Sequence, residues 1–290
     1  MREIAENARR ARTRTALQTV AVAAVVGLAG QAANAVIFAE VEANDTKTAA
    51  NLVAGMASAD SITGTTTGAS TTVAGVASAD YFRVSTAAAA PGIYKHQLVL
   101  TSAVVGHTGT IRGLTQTSST AGGVINTTSD TAMQTSSTAT TPPRMVQWYG
   151  FGKSESIYYR VAGVAATTAP YTATLTDSAV STTDAATVFT SGSITITTVG
   201  QTGTSQTDTD LWVYDSNFNA IATYGNDDEG PGGATLGSRL IRSYGPGATF
   251  YIAISNFQVS NNQASPADDD FQTGAVLDFP DAVANSSTTG

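Results

Sequence analysis

The sequence predicts an all-β protein, an antiparallel sandwich or barrel, and three observations carry that prediction. Thr, Ser, Ala, Gly and Val dominate the 290 residues, and branching at Cβ stiffens χ1 and suits a pleated surface. Short runs that alternate apolar and polar residues recur between Gly, Ser, Asn and Pro clusters, the punctuation expected of many short strands. No amphipathic helical period follows the first 35 residues. A hydrophobic content of 42% suffices for real cores.

Residues 1–35 read as a secretory signal helix. Arg2, Arg9, Arg10, Arg12 and Arg14 make a basic start, 16–29 is apolar, and Ala33-Asn34-Ala35 is a small-x-small cleavage site. The apolar stretch is short for a bilayer about 30 Å thick, so the mature chain is expected outside the cell or on its envelope, without membrane insertion. Removing the signal leaves nine Lys and Arg against 20 Asp and Glu, a net charge of −11. Such a chain repels phosphate backbones, which argues against nucleic acid and favours divalent cations. The absence of cysteine excludes disulfides, thiolate nucleophiles and cysteine metal sites.

Alternation places Phe82 and Val84 on one face of 80–85, and Leu98 with Leu100 on one face of 94–101. Further strands are expected at 144–151, 156–161 and 171–176. In the last of these, Tyr171, Ala173 and Leu175 point one way and three threonines the other. These runs define a first domain, 36–177, followed by a linker at 178–187. A second series fills 188–290, with strands at 193–199, 210–215, 220–224, 239–243 and 249–256. There, Phe250, Ile252 and Ile254 make the strongest core stripe in the chain. Low-complexity patches at 64–72 and 115–141 are expected as polar loops that hold no core. Segment 268–281 still looks folded where the chain stops, so the second domain is expected to be truncated.

Acidic groups concentrate in three places. Glu40, Glu42, Asn44 and Asp45 put four oxygen-bearing side chains within six positions, a half-site for Ca²⁺, which takes six to eight oxygens at about 2.3–2.6 Å. The alternative is a solvated lead-in. Asn226, Asp227 and Asp228, with Asp208 and Asp210 reaching them from the preceding strand, form either a second cation loop or a turn. Asp268–Asp270 is a third acidic run, of a kind more often solvated than coordinating.

Catalysis finds no positive support. His96 and His107 are the only histidines and neither has a zinc-motif partner. No nucleophile elbow and no phosphate loop occur. Aromatic side chains instead pose a face question. Trp212 and Tyr214 lie opposite Leu211 and Val213 on one strand, and Trp148 with Tyr149 raise the same issue earlier. Such rows could bind sugar rings or an extended polypeptide, or could pack in a core or between domains.

Several motifs resemble the bacterial pre-peptidase C-terminal domains, a family of jelly-roll-like β-sandwiches that includes the collagen-binding modules of clostridial collagenases. The resemblance rests on the E-x-E-x-N-D-T opening (Glu40, Glu42, Asn44, Asp45, Thr46), Ile62-Thr63-Gly64, Asp80-Tyr81-Phe82, Tyr158-Tyr159-Arg160-Val161 and Tyr171-Thr172-Ala173-Thr174-Leu175. A divergent copy is similar at Asp208-x-Asp210-Leu211-Trp212-Val213-Tyr214-Asp215, Asn226-Asp227-Asp228 and Gly245-Pro246-Gly247, but lacks the acidic opening. The arrangement also resembles large envelope proteins of planctomycete-like bacteria. The resemblance implies two tandem sandwiches, and a calcium ion shared by the opening segment (Glu40, Glu42, Asn44, Asp45) and Asp80. The expected function is a non-catalytic secreted or cell-envelope protein, calcium-stabilised, that binds extracellular protein or polysaccharide for adhesion, matrix assembly or substrate targeting. Accessory domains of a secreted peptidase or other hydrolase, with the catalytic part outside this chain, are the alternative.

Overall fold

Sustained alternation of an apolar residue with Thr or Ser buries one side of an extended segment and wets the other, and strands form wherever the chain holds that pattern. A computed structural model describes residues 34–66, 78–104, 106–115, 130–136, 144–163, 167–184, 189–200, 208–227, 229, 236–256, 259–262 and 276–285. Residues 1–33 of the expected signal helix (1–35), Asp228, the 268–270 run and most of the two low-complexity patches lie outside the described residues. In chain order the strands are β1 Ile37–Ala39, β2 Asn51–Met56, β3 Ser61–Thr66, β4 Ala79–Thr86, β5 Tyr94–Ser102 and β6 Thr108–Thr115. They continue with β7 Thr131–Thr135, β8 Met145–Gly150, β9 Ser156–Ala162, β10 Thr167–Ala179, β11 Gly192–Thr197 and β12 Thr209–Tyr214. The last are β13 Ala220–Asn226, β14 Arg239–Tyr244, β15 Tyr251–Asn256, β16 Val259–Ser260, β17 Val276–Leu277 and β18 Ala284–Asn285. Only a 3-10 turn, Lys47–Ala49, capped by the Thr46 hydroxyl, interrupts the β-structure among the described residues.

A five-stranded sheet in the order β1-β3-β10-β5-β8 and a six-stranded sheet, β17-β6-β9-β4-β2 with β7 added on β6, share one core. The first sheet contributes Ile62, Leu98, Leu100, Val146, Trp148, Tyr171, Ala173 and Leu175; the second contributes Val53, Met56, Phe82, Val84, Ile111, Ile157, Tyr159 and Val161. Each fully buried large apolar side chain here stabilises by roughly 1.5–3 kcal/mol. The pairings are antiparallel except at two edges, where β1 runs parallel to β3 and β2 parallel to β4. Residues 40–50 therefore leave the first sheet beside β3 and arrive beside β4 in the second.

A smaller assembly follows, with a three-stranded sheet, β13-β12-β15, and a two-stranded one, β11-β14. Every residue of β12 is buried. Leu211 and Val213 pack with Leu240 and Tyr244 of β14, and with Ile194 and Ile196 of β11. Trp212 and Tyr214 face the other way, into a cluster with Phe151, Phe218, Val259 and Val283.

Several expectations need correction. Ile252 and Ile254 are exposed by 37% and 56%, not the heart of a core. Their register opposite Val213 and Leu211 puts them on the buried face of the sheet, but β15 is one of its two edge strands and the facing layer has only two strands. Tyr251 and Ala253 instead pack toward the aromatic cluster. Within the stretch read as a coreless loop, β7 pairs with β6 and Met133 joins the main core. Segment 276–285, read as part of the second series, returns to the first. There β17 pairs with β6, Val283 bridges to Tyr149, and Phe279 lies against Tyr158. Lys47 meets Asp278 at 2.9 Å with both side chains buried.

His96 of β5 lies tilted against Trp148, with the ring centroids 5.2 Å apart. Its Nδ1 lies 2.7 Å from Asp177 Oδ1 and its Nε2 3.7 Å from Glu155 Oε2. Burial alone would lower its pKa, but the two carboxylates outweigh it and the net shift is upward. Glu155 is also buried, which would raise its pKa, yet His96 and the backbone N–H groups of Lys153 and Phe151 bring it down to about 2.

Two outcomes follow. A Lys47→Met variant leaves Asp278 buried opposite an apolar side chain and should lose about 3 kcal/mol in urea denaturation, with Asp278→Leu added to it recovering most of the loss. The His96 contribution is complete below its unfolded-state pKa of 6.5 and is lost as pH rises through the higher folded-state value. The Glu155 contribution is complete above 4.5 and is lost as pH falls through about 2. Thermal melts of the wild type should therefore drop on the alkaline side of 6.5, and a His96→Gln variant should flatten that drop.

Candidate metal centre

Each member of the first acidic cluster is placed by backbone pairing. Glu40 follows β1, where its N–H donates to Thr63 O at 2.8 Å and its Oε2 accepts from Thr65 N at 2.7 Å. Glu42 is exposed two residues on. Asn44 is buried, with its carbonyl accepting from Tyr81 N at 2.9 Å and its Nδ2 donating to Asn51 Oδ1 at 3.1 Å. Asp80, the second residue of β4, is fully buried, and its Oδ2 accepts from the Tyr171 hydroxyl at 2.6 Å. Tyr171 comes from β10, so the cluster spans both sheets.

One carboxylate oxygen from each of Glu40, Glu42 and Asp80 lies within 4.8 Å of the others. Two oxygens in a Ca²⁺ shell are at most about 5 Å apart, so this spacing fits one ion. Three buried oxygens in this region, Glu40 Oε1, Asn44 Oδ1 and Asp80 Oδ1, have no hydrogen-bond partner. A buried acceptor without a donor is costly, and a buried carboxylate more so. Burial, opposed in part by Tyr171 and reinforced by Glu40 and Glu42, pushes the Asp80 carboxyl up to about 8. Burial also raises Glu40, against the Thr65 hydrogen bond and with repulsion from Glu42. A cation would supply positive charge to this arrangement.

Of the residues singled out in the sequence, Glu40, Glu42 and Asp80 converge, and Asn44 lies on the same opening segment with a free oxygen. Asp45 has a different task, as its Oδ1 accepts from Ala79 N at 3.2 Å and fixes the start of β4. Asp208, Asp210 and Asp227 converge separately, whereas Asn226 Oδ1 is taken by Arg239 N at 2.7 Å. The sequence reading missed Tyr171 as a participant, although an inward tyrosine in a core stripe signals a hydroxyl that must find an acceptor. It also missed the steric part of Gly64, where a Cβ would collide with Glu40 Oε2 and Tyr171 Oη.

The aromatic candidates for a binding face are withdrawn from solvent. Trp148, Trp212 and Tyr214 are buried and Tyr149 is half-buried against the aromatic cluster. Both sides of β12 are covered, one by β11 and β14 and the other by Phe151, Phe218 and Val283. His107 is buried as well, with Nδ1 2.7 Å from Ser102 Oγ and Nε2 3.1 Å from Thr66 Oγ1. Burial, and then the Arg144 charge, lowers its pKa.

No protein-family model matches the chain, and no curated protein matches it. The class that fold and site define is an all-β protein with a carboxylate cluster at the seam of its two larger sheets.

Gly64→Ala should force Glu40 and Tyr171 off their partners, and the loss, of about 1–3 kcal/mol, is measurable by chemical denaturation.

Proposed function

We propose that this chain is a non-catalytic secreted or cell-envelope module, two tandem jelly-roll-like sandwiches of the pre-peptidase C-terminal type, whose larger sandwich is stiffened by Ca²⁺. The observation that carries the reading is the set of buried, partnerless oxygens on Glu40, Asn44 and Asp80 beside the exposed carboxylate of Glu42. Hard oxygens in that number and spacing suit Ca²⁺ better than a nitrogen- or sulfur-seeking metal.

The role of the ion is mechanical. Glu40 is tied to β3 of one sheet, Asp80 belongs to β4 of the other, and Asn44 pairs its backbone with Tyr81 beside Asp80. An ion held by all three locks the crossing segment down and resists separation of the sheets. Bound only by the folded chain, Ca²⁺ at 100 times its Kd adds about 2.7 kcal/mol of stability. The basic, then apolar, then small-x-small pattern of residues 1–35 supports export, and the acidic mature chain suits a calcium-containing exterior. Adhesion, matrix assembly or substrate targeting toward extracellular protein or polysaccharide is the function this stiffened scaffold serves.

Calorimetric titration of the metal-stripped full chain with CaCl₂, beside a Glu42→Ala variant, tests the reading. Saturable binding weakened at least tenfold in the variant, with a melting temperature that rises in calcium, is the expected result. Identical melts in chelator and in saturating calcium would remove calcium from the account.

A further inference from the structure

A second acidic cluster lies in the smaller assembly, and its geometry follows from strand register. Leu211 pairs with Asn226 across β12 and β13, so Asp210 stands one step further on, opposite Asp227. Asp208 is two residues before Asp210, on the same side of the extended chain. One carboxylate oxygen from each of Asp208, Asp210 and Asp227 lies within 4.8 Å of the other two.

Asp210 is the telling member. It is fully buried, its Oδ2 accepts from the backbone N–H of Val259, and its Oδ1 has no hydrogen-bond partner. No cation from a lysine, arginine or histidine is paired with Asp210 among the described residues. The environment strongly disfavours its charged form. Burial, and then the neighbouring Asp227, push its carboxyl up to about 10, and burial followed by Asp227 also raises Asp208. A buried carboxylate with two others beside it is either protonated or neutralised by an ion.

We infer that Asp208, Asp210 and Asp227 form a second binding site for a hard divalent cation, of the Ca²⁺ or Mg²⁺ class, in the smaller assembly. The ligands are all oxygen, which excludes a soft-metal preference. Asp208 and Asp227 are half-buried, so the ion keeps an open side where water completes its shell. Asp210 also holds Val259 of β16; β16 pairs with β18, and the adjoining Val283 bridges to Tyr149 of β8. An ion on Asp210 therefore stiffens the same carboxylate that anchors β16, and steadies the route from the smaller assembly to the larger one. The site does not depend on the first cluster, with which it shares no residue.

The test uses the metal-stripped full chain, titrated calorimetrically with CaCl₂ and separately with MgCl₂, in three forms: wild type, Glu42→Ala, and Asp208→Asn with Asp227→Asn. The wild type should take up two equivalents of at least one cation, and the Asp208/Asp227 variant one fewer. If Glu42→Ala changes nothing while the Asp208/Asp227 variant loses an equivalent, the first site falls and this one stands. If the Asp208/Asp227 variant keeps the full wild-type stoichiometry for both cations, this site is overturned. Hydrogen–deuterium exchange on the wild type supplies a readout that needs no variant. Saturating cation should slow exchange at least severalfold in 209–214 and at Val259, and unchanged exchange there with both cations would equally overturn the site.

Discussion

The constraint on which the structure depends is the closure of two sheets over one apolar layer without any covalent cross-link. The chain has no cysteine, so nothing but packing, hydrogen bonding and electrostatics keeps the five- and six-stranded sheets together. Trp148, Tyr159, Phe82 and Leu175 are among the large, fully buried side chains of that layer. The seam at its edge is where Tyr171 from one sheet reaches Asp80 in the other. The carboxylate cluster sits on that seam because strand β1 and strand β4 belong to different sheets and residues 40–50 must cross between them. Charge is thus concentrated where the two halves of the fold most need holding.

That placement turns an electrostatic liability into a conditional strength. With nothing to neutralise it, a buried acidic cluster opposes folding, because each ionised carboxylate has lost its water and faces others of the same sign. Proton uptake relieves the repulsion but leaves the oxygens short of partners. A divalent ion bound there would relieve both, and the energy so gained would be available only with both sheets in place. The same logic applies at Asp210, where Val259 satisfies one oxygen, the other has no hydrogen-bond partner, and the carboxylates of Asp208 and Asp227 lie close by.

Much of the all-β architecture was legible because a period of two needs only local sequence. Phe82 with Val84, Leu98 with Leu100, and the Tyr171, Ala173, Leu175 stripe all lie on the faces that alternation assigns them, and all are buried. Ile252 and Ile254 show where that reasoning ends. Alternation identifies their face correctly, but the width of the opposing layer is a tertiary property that no local window contains. For the aromatics of β12 the sequence left two readings open, a binding face or packing in a core or between domains, and the fold covers both sides of the strand. Strands β2 and β7 lay hidden in stretches rich in Gly, Asn, Ser and Thr, where Val53, Met56 and Met133 are too sparse to form a visible stripe. The acidic opening was legible as a cluster, whereas the assignment of Asp45 to the Ala79 amide and the entry of Tyr171 are products of chain crossing.

The return of segment 276–285 to the larger assembly has a kinetic side. Lys47 and Asp278 are 231 positions apart, and β6 receives β17 only after the whole intervening chain exists. A ribosome, which delivers the chain from its N-terminus, therefore exposes an incomplete sandwich for as long as the smaller assembly takes to emerge. Contacts of such long sequence separation slow folding, since the loop must close before the contact rewards it. During that interval the Leu114–Thr115 end of β6 lacks the pairing that β17 supplies, an open stretch of strand prone to pairing with whatever chain lies nearest. The last segment is thus the latch that ends a vulnerable period in the life of the protein.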